Sequence, residues 1–218
     1  MIYRKVFDAQ QELTSWYNVK YREMGGTWHT PPEDCNRHLD DLLQDRQQRG
    51  HLLDVGCGGG RFIEQARKRG FRLILGIDPS TEAIAFARRR LNVPTAAFGT
   101  SINLITNELK TDELERYHAY STIHGYSTNS IKYDYIVSLG SLEHVVNLGI
   151  CLDIIRQILK DNGRWYFYLP NEKWTHTDQP NERTASSEEW KVLLAWHGLI
   201  ADGEREWTDN TAIWGHKI

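Results

Sequence analysis

Residues 51–62 read "HLLDVGCGGGRF", an apolar run followed at once by four glycines within five positions, Gly56, Gly58, Gly59 and Gly60. Glycine inside a regular element costs about 0.5 to 1 kcal/mol relative to alanine. Such a cluster therefore needs a backbone reason, either a turn at positive φ or a ligand that comes close to the main chain. A strand, a glycine turn and a helix together form an anion cradle, because free backbone amides and the positive end of the helix dipole point at whatever sits there.

Outward from this stretch, short apolar runs alternate with helical patterns, the signature of βαβ units and a parallel sheet with helices on both faces. Strands are expected at 51–56, 72–78, 95–99, 133–139 and 163–170, and an antiparallel pair near 200–208 and 212–218 turned at Asp209 and Asn210. Helices are expected to start near Arg61, Thr81, Leu148 and Ser187, the last capped by Ser186 or Ser187 with acidic residues in its first turn. The fold expected is α/β, a doubly wound Rossmann-like, seven-stranded, mostly parallel sheet with a C-terminal antiparallel strand.

The first fifty residues have a different character and read as an N-terminal helical lid or cap, 1–50, ahead of a main domain, 51–218. They carry a helical pattern in "QQELTSWYNVKYREM", a breaker in "GGTWHTPP" and a second helix in "EDCNRHLDDLLQDRQQRG" with Gly50 as its C-cap. The stretch 103–132 is too long for an ordinary connection of about 2 to 6 residues and should carry its own helix, "NELKTDELERYHAY".

The 218 residues suit one well-filled core, without a membrane span or the apolar core of a signal peptide. Three widely spaced cysteines, Cys35, Cys57 and Cys151, suggest neither a disulfide framework nor a metal site, and a cytoplasmic location is expected. A net charge of -3 gives no general attraction to phosphate backbones, so nucleic acid is not the expected partner. The basic runs at 67–69 and 88–90 fall at expected helix ends, where cations complement the dipole.

The glycine spacing then narrows the ligand. The dinucleotide pattern G-x-G-x-x-G would need glycine at 61 or 63 and meets Arg61 or Ile63, and the P-loop pattern is absent. What fits is D-x-G-x-G-x-G, Asp54, Gly56, Gly58 and Gly60, with an acidic residue, Asp78, closing the second strand in "GIDPS". This combination resembles the class I S-adenosylmethionine-dependent methyltransferases. The segments "TAAFGTSI", "YDYIVSLGSLEHV", "LKDNGRWYFYLPN" and "NERTASSEEWKVLLAWHGL" are similar to later family motifs in the same order, over roughly residues 50–218.

The resemblance implies S-adenosylmethionine as cofactor, with Gly56, Cys57, Gly58 and Gly60 against its amino-acid portion and Asp54 orienting the loop or the ammonium. It also implies Asp78, with Pro79, at the ribose diol, although Asp78 reads equally as an N-cap for the next helix. Relatives often place an aspartate at the adenine amino group where this chain has Thr100 and Ser101. Leu139 closes the fourth strand beside the cofactor, and Tyr21 and Trp28 are the aromatic lid candidates, which read alternatively as ordinary helix packing.

Methyl transfer from a sulfonium needs mainly orientation and exclusion of water. A hydroxyl or protonated amine acceptor also needs a group to take its proton. His144, paired with Glu143 in "SLEHV", stands where a base would be required, or else simply starts the following helix. Some quinone-pathway O-methyltransferases use a similar Glu-His pair with a third acidic residue, but that position is Gly140 here, so no metal is expected. The acceptor expected is a small organic molecule bound by the N-terminal segment, the 103–132 insertion and the loop after the fifth strand. The alternatives are a cofactor-binding protein with a different or absent transfer reaction, or an enzyme acting on RNA or protein.

Overall fold

The computed structural model describes residues 2–3, 10–25, 32–44, 49–71, 73–92, 98–99, 132–175 and 182–218. In chain order these form β1 (Ile2–Tyr3), α1 (Gln10–Glu23), α2 (Pro32–Leu43), β2 (Leu52–Val55), α3 (Arg61–Lys68), β3 (Ile74–Ile77), α4 (Thr81–Leu91), β4 (Phe98–Gly99) and β5 (Tyr133–Leu139). A 3-10 turn (Leu142–His144) follows, then α5 (Leu148–Ile158), β6 (Leu159–Pro170), β7 (Arg183–Thr184), α6 (Ser187–Trp196), β8 (Leu199–Glu206) and β9 (Asn210–Lys217).

The main sheet runs β4-β3-β2-β5-β6-β9-β8. Its pairings are parallel from β4 to β6, whereas β9 lies antiparallel to both β6 and β8. Strand order reverses between β2 and β5, which places a crevice at the carboxyl ends of these strands, where ligands bind in open α/β sheets.

Alternation along each strand supplies two separate cores. Leu53 and Val55 of β2, Ile136 of β5 and Trp165 and Phe167 of β6 pack with Leu152 and Ile155 of α5 and Trp190 and Leu194 of α6. The opposite face gathers Leu52, Tyr135, Val137 and Tyr166 with Leu39 and Leu42 of α2, Phe62 and Ala66 of α3 and Ile84 of α4. Asp54 shares the parity of Leu52 and so faces α2.

The expected helix starts at Arg61, Thr81, Leu148 and Ser187 are the observed ones. Ser186 caps α6, and with Glu189 it forms a complete capping box. Two boundaries differ. The helix expected to run to Gly50 ends at Leu43, where Gln44 takes a left-handed φ of 42° and closes it; Gly50 is therefore not its C-cap. β6 begins at Leu159 rather than 163, because Leu159 pairs with Tyr133 before a bulge restores register at Arg164. A two-stranded sheet, β1 against β7, was not expected and ties the start of the chain to Arg183 and Thr184. The helix expected within 103–132 lies outside the described residues.

Candidate active site

The glycine loop leaves β2 and enters α3 through three left-handed glycines, Gly56 (φ 76°), Gly58 (φ 50°) and Gly60 (φ 77°). Side chains disfavour this region, so the glycines are used for their backbone. Gly56 has a steric reason as well. A Cβ there would lie 2.1 Å from Ser141 Oγ, and that hydroxyl donates to the Gly56 carbonyl at 3.2 Å. Arg90, at the end of α4, donates to the Gly59 carbonyl at 3.1 Å and braces the loop from the other side.

The loop amides are largely committed. Those of Gly56 and Cys57 both donate to the Ile77 carbonyl, at 2.8 and 2.9 Å, and that of Gly60 donates to the Cys57 carbonyl at 2.9 Å. The Gly58 amide donates to Asp78 Oδ2 at 2.9 Å, while Asp78 Oδ1 accepts from the Ser80 amide at 2.8 Å. The N-cap of α4 is Ser80, whose Oγ accepts from the Ala83 amide, so the capping alternative for Asp78 is settled against it. A carboxylate has about four acceptor sites, and two loop amides leave Asp78 room for further donors. Burial pushes its pKa up to about 6, with the two amides pulling the other way.

At the foot of the loop, Asp54 is 2% exposed, and its Oδ2 has no hydrogen-bond partner. Burial, with the nearby charge of Asp78, pushes its pKa up to about 8. A buried polar oxygen left without a partner costs about 1 to 3 kcal/mol, which a ligand donor would recover. A cationic donor suits this place, and an ammonium group meets that description.

Helix α1 covers the loop. Asn18 Oδ1 accepts from Ser80 Oγ (2.8 Å), Thr81 Oγ1 (3.3 Å) and the Glu82 amide (3.3 Å), and Arg22 pairs with Glu82 at 3.0 Å. This docking fixes α1 on the start of α4 and sets Tyr17 and Tyr21 over the cleft. The phenol of Tyr21 is raised by burial and by the charges of Asp78, Cys57 and Asp54. That of Tyr17 is raised by burial, then by Glu143, Tyr21, Asp78 and Glu182.

Beyond β5, the 3-10 turn buries Glu143 and His144 side by side, with His144 Nε2 3.6 Å from Glu143 Oε1. The edge of the Tyr17 ring meets the imidazole at a centroid distance of 5.8 Å. Burial pushes Glu143 up to about 8, assisted by Glu182, while its own amide and Arg183 oppose the rise. The guanidinium of Arg183 fastens the turn by donating to the carbonyls of Glu143 (2.9 Å), Val145 (2.6 Å) and Val146 (3.1 Å).

The structure thus brings together Asp54, Gly56, Cys57, Gly58, Gly60, Asp78, Pro79, Leu139, Tyr21, Glu143 and His144 at one sheet edge, while Thr100, Ser101 and Trp28 lie outside the described residues. Leu139 ends β5 and packs, half-buried, against the core on the α2 and α3 face of the sheet. Five contributors were not singled out from sequence, namely Asn18, Arg90, Ser141, Glu182 and Arg183. Each acts across a long sequence separation, and no local pattern marks it. Among the described residues, no group of three or more His, Cys, Asp or Glu could hold a metal ion. None of their helices is long and apolar enough to cross a membrane.

Residues 27–208 match the family model described as a methyltransferase domain. The chain belongs to this family. The methyltransferase is similar to the ubiquinone biosynthesis O-methyltransferase of Pasteurella multocida (strain Pm70), with 29% identity over 172 residues that cover 74% of this chain and 65% of that protein. Its likeness to the enzyme of the same name from Glaesserella parasuis serovar 5 (strain SH0165) is 26% over 153 residues, 66% of this chain and 59% of the relative. The chain therefore spans less than two thirds of either relative. Among solved structures, the Burkholderia thailandensis 1,6-didemethyltoxoflavin-N1-methyltransferase, crystallised with its substrate and S-adenosylhomocysteine, superposes with a TM-score of 0.70 at 16% identity, covering 97% of this chain and 91% of that one. S-adenosylmethionine is the methyl donor of the family, and the methyltransferase takes it as cofactor.

Proposed function

We propose that the protein transfers the methyl group of S-adenosylmethionine to a hydroxyl or amine of a small organic acceptor at the carboxyl edge of β2, β3 and β5. The observation that carries this reading is the buried Asp54 oxygen without a partner beneath a glycine loop. It supports an ammonium group at that point, and the rest of the cofactor fits outward from it.

Asp54 would hold the ammonium, and Asp78 would take the ribose hydroxyls with the lone pairs that the Gly58 and Ser80 amides leave over. Pro79 would lie under the ribose. Because the amides of Gly56 and Cys57 serve Ile77, the loop would meet the cofactor through Cα atoms and carbonyls, and the first turn of α3 would supply the amides for an anion. Leu139 would flank the site. We place Thr100 and Ser101 near the adenine, and Tyr21 and Trp28 in a lid formed by residues 1–50, with Tyr21 supported by its burial on a helix that Asn18 docks on the start of α4.

When bound, the cofactor supplies a methyl group already activated by a positive sulfur. The protein's own task is then to orient the acceptor, exclude water and take a proton. Glu143 and His144 stand together past the end of β5, buried beneath Tyr17, and in this reading they accept the acceptor's proton. The relatives named for ubiquinone biosynthesis and toxoflavin methylation support a small acceptor, and both oxygen and nitrogen occur among their names.

The test is incubation with methyl-labelled S-adenosylmethionine and a panel of small phenols, alcohols and amines, read by mass spectrometry. Transfer to a panel member that Glu143→Gln lowers by at least tenfold supports the reading. Transfer to RNA or protein in preference to every small molecule contradicts it.

A further inference from the structure

The row of residues that crosses the sheet at Asp54 continues through Val137 of β5 to Tyr166 of β6. Tyr166 and, two residues on, Tyr168 therefore turn their rings to the face that Asp54 shares with α2. Tyr168 stands at the cleft. It pairs with Leu139, and its carbonyl accepts from the Gly140 amide at 2.9 Å. One residue further, Ser141 Oγ donates to the Gly56 carbonyl at 3.2 Å, so a short path of two hydrogen bonds leads from Tyr168 to the glycine loop. β6 lies two strands from β2, about 10 Å at the usual strand spacing, which is room for a small molecule over the end of β5.

Three rings from three elements meet here. His38 of α2 lies at a centroid distance of 4.8 Å from Tyr168, Trp207 of the β8–β9 turn lies at 5.6 Å, and His38 and Trp207 are 5.2 Å apart. The planes of Tyr168 and Trp207 stand at 83°, and a further ring in this corner can meet one by its face and the other by its edge. Aromatic rings favour both arrangements. The corner is held from behind. His38 Nδ1 shares a hydrogen bond of 2.8 Å with the Tyr166 hydroxyl, which donates to Asp41 at 3.4 Å, and Asp41 pairs with Arg205 at 2.8 Å. The Trp207 amide donates to the Asn210 carbonyl at 2.8 Å, and the Asn171 amide donates to the Asp209 carbonyl at 3.0 Å, which ties this turn to the end of β6.

Ordinary core packing does not account for the front of the corner. Tyr166 is fully buried with its hydroxyl bonded, whereas Tyr168 and Trp207 stay half-buried. Neither the Tyr168 hydroxyl nor Trp207 Nε1 bonds to a described residue. Arg37, 60% exposed, lays its guanidinium over the Trp207 ring at 5.8 Å, so an exposed planar group already rests on that ring.

We propose that the acceptor is a planar aromatic molecule with a hydroxyl or amine substituent, its ring seated in the corner of Tyr168 and Trp207. The inference rests on reading this cleft as the methyl-transfer site and narrows the small organic acceptor to one class. A ring seated there takes the place of the Arg37 guanidinium, and its polar substituents meet the Tyr168 hydroxyl and the Trp207 indole N–H. A saturated ring of the same size covers the same area without the ring-to-ring attraction. Tyr168 and Trp207 are then the specificity-determining residues.

The experiment is calorimetry on the protein already saturated with S-adenosylhomocysteine, titrated with phenol and 2-naphthol and with their saturated counterparts, cyclohexanol and decahydro-2-naphthol. Each aromatic compound is expected to bind at least threefold more tightly than its counterpart, and Tyr168→Leu and Trp207→Leu each to lower that preference at least twofold. Thermal unfolding accompanies each variant. Independently of the leucine variants, the indole N–H resonance of Trp207, assigned with Trp207→Phe, is expected to shift with 2-naphthol and not with decahydro-2-naphthol. Equal or tighter binding of the saturated compounds, no binding of any of the four, or an unmoved Trp207 resonance overturns the inference and leaves the cofactor site intact. Failure of S-adenosylhomocysteine itself to bind overturns the cofactor site and the inference with it.

Discussion

The Gly58 amide donates to Asp78 Oδ2 at 2.9 Å, a bond between residues 20 apart in sequence that ties the glycine loop to the end of the neighbouring strand. The same carboxylate accepts from the Ser80 amide at 2.8 Å, so one side chain fixes two turns before any ligand arrives. Asp78→Ala leaves both amides buried without acceptors, at about 1 to 3 kcal/mol each. It is expected to weaken S-adenosylhomocysteine binding at least tenfold and to lower the urea midpoint, with Asp78→Asn intermediate because its carbonyl keeps one bond. An unchanged affinity in Asp78→Ala would remove this residue from the site.

Gly56 and Ser141 should show a coupled effect. In Gly56→Ala the new Cβ meets Ser141 Oγ at 2.1 Å and sits at a φ of 76°. The left-handed conformation alone costs about 1 to 2 kcal/mol, and the collision adds to it. Adding Ser141→Gly should restore the collision's share and leave the backbone share, which a double-mutant cycle by denaturation resolves. Strict additivity of the two substitutions would contradict the packing.

Asp54 predicts how cofactor affinity changes with pH. Its carboxyl is held near 8 in the cofactor-free protein, so below that pH an ammonium must displace a proton that the site prefers to keep. Asp78 is held near 6 and is already ionised across most of the window from 6 to 8. Binding of S-adenosylhomocysteine should therefore tighten by up to about tenfold per pH unit from 6 toward 8 and then level off. Asp54→Asn should bind more weakly at pH 8 and lose the slope. Calorimetry across this range checks both.

His38 predicts acid sensitivity of the fold. Its ring shares a hydrogen bond of 2.8 Å with Tyr166, whose hydroxyl donates to Asp41, and burial with the charges of Arg205 and Arg37 holds its pKa down at about 4. The unfolded chain takes up the proton below about 6.5 and the folded protein refuses it. Stability is thus fully present above about 6.5 and declines as pH falls toward 4. Between pH 7 and 5 this side chain should account for a loss of about 2 kcal/mol. Urea denaturation at both pH values should find that loss in the wild type and not in His38→Gln.

The legible parts of the fold are those with a local signature. β5 coincides with its expected 133–139 because a stretch rich in aromatic and branched residues, YDYIVSL, ends at Gly140, and α6 starts at Ser187 because Ser186 and Glu189 spell a capping box. The early part of β6 was hidden, since "LKDNG" pairs through a bulge and carries no alternation. The short β1–β7 pairing has too few residues to show any period. Within the candidate site, the glycines and Asp54 were legible because one turn sets their spacing, Asp78 because it closes the second strand, and Glu143 and His144 because they come just after the end of a strand. Glu182, Arg183, Asn18, Ser141 and Arg90 reach the cleft only through the strand order. Their roles depend on which loops the sheet brings together, a property of topology rather than of local pattern.

The central claim, a cofactor cleft built on Asp54, Asp78 and the glycine loop, is tested most directly by titrating the wild-type protein with S-adenosylhomocysteine in a calorimeter, with NAD as control. The account predicts saturable binding of one ligand per chain in about the micromolar range, and none for NAD. No binding of S-adenosylhomocysteine, or equal binding of NAD, would contradict it and return the glycines to the role of a tight turn.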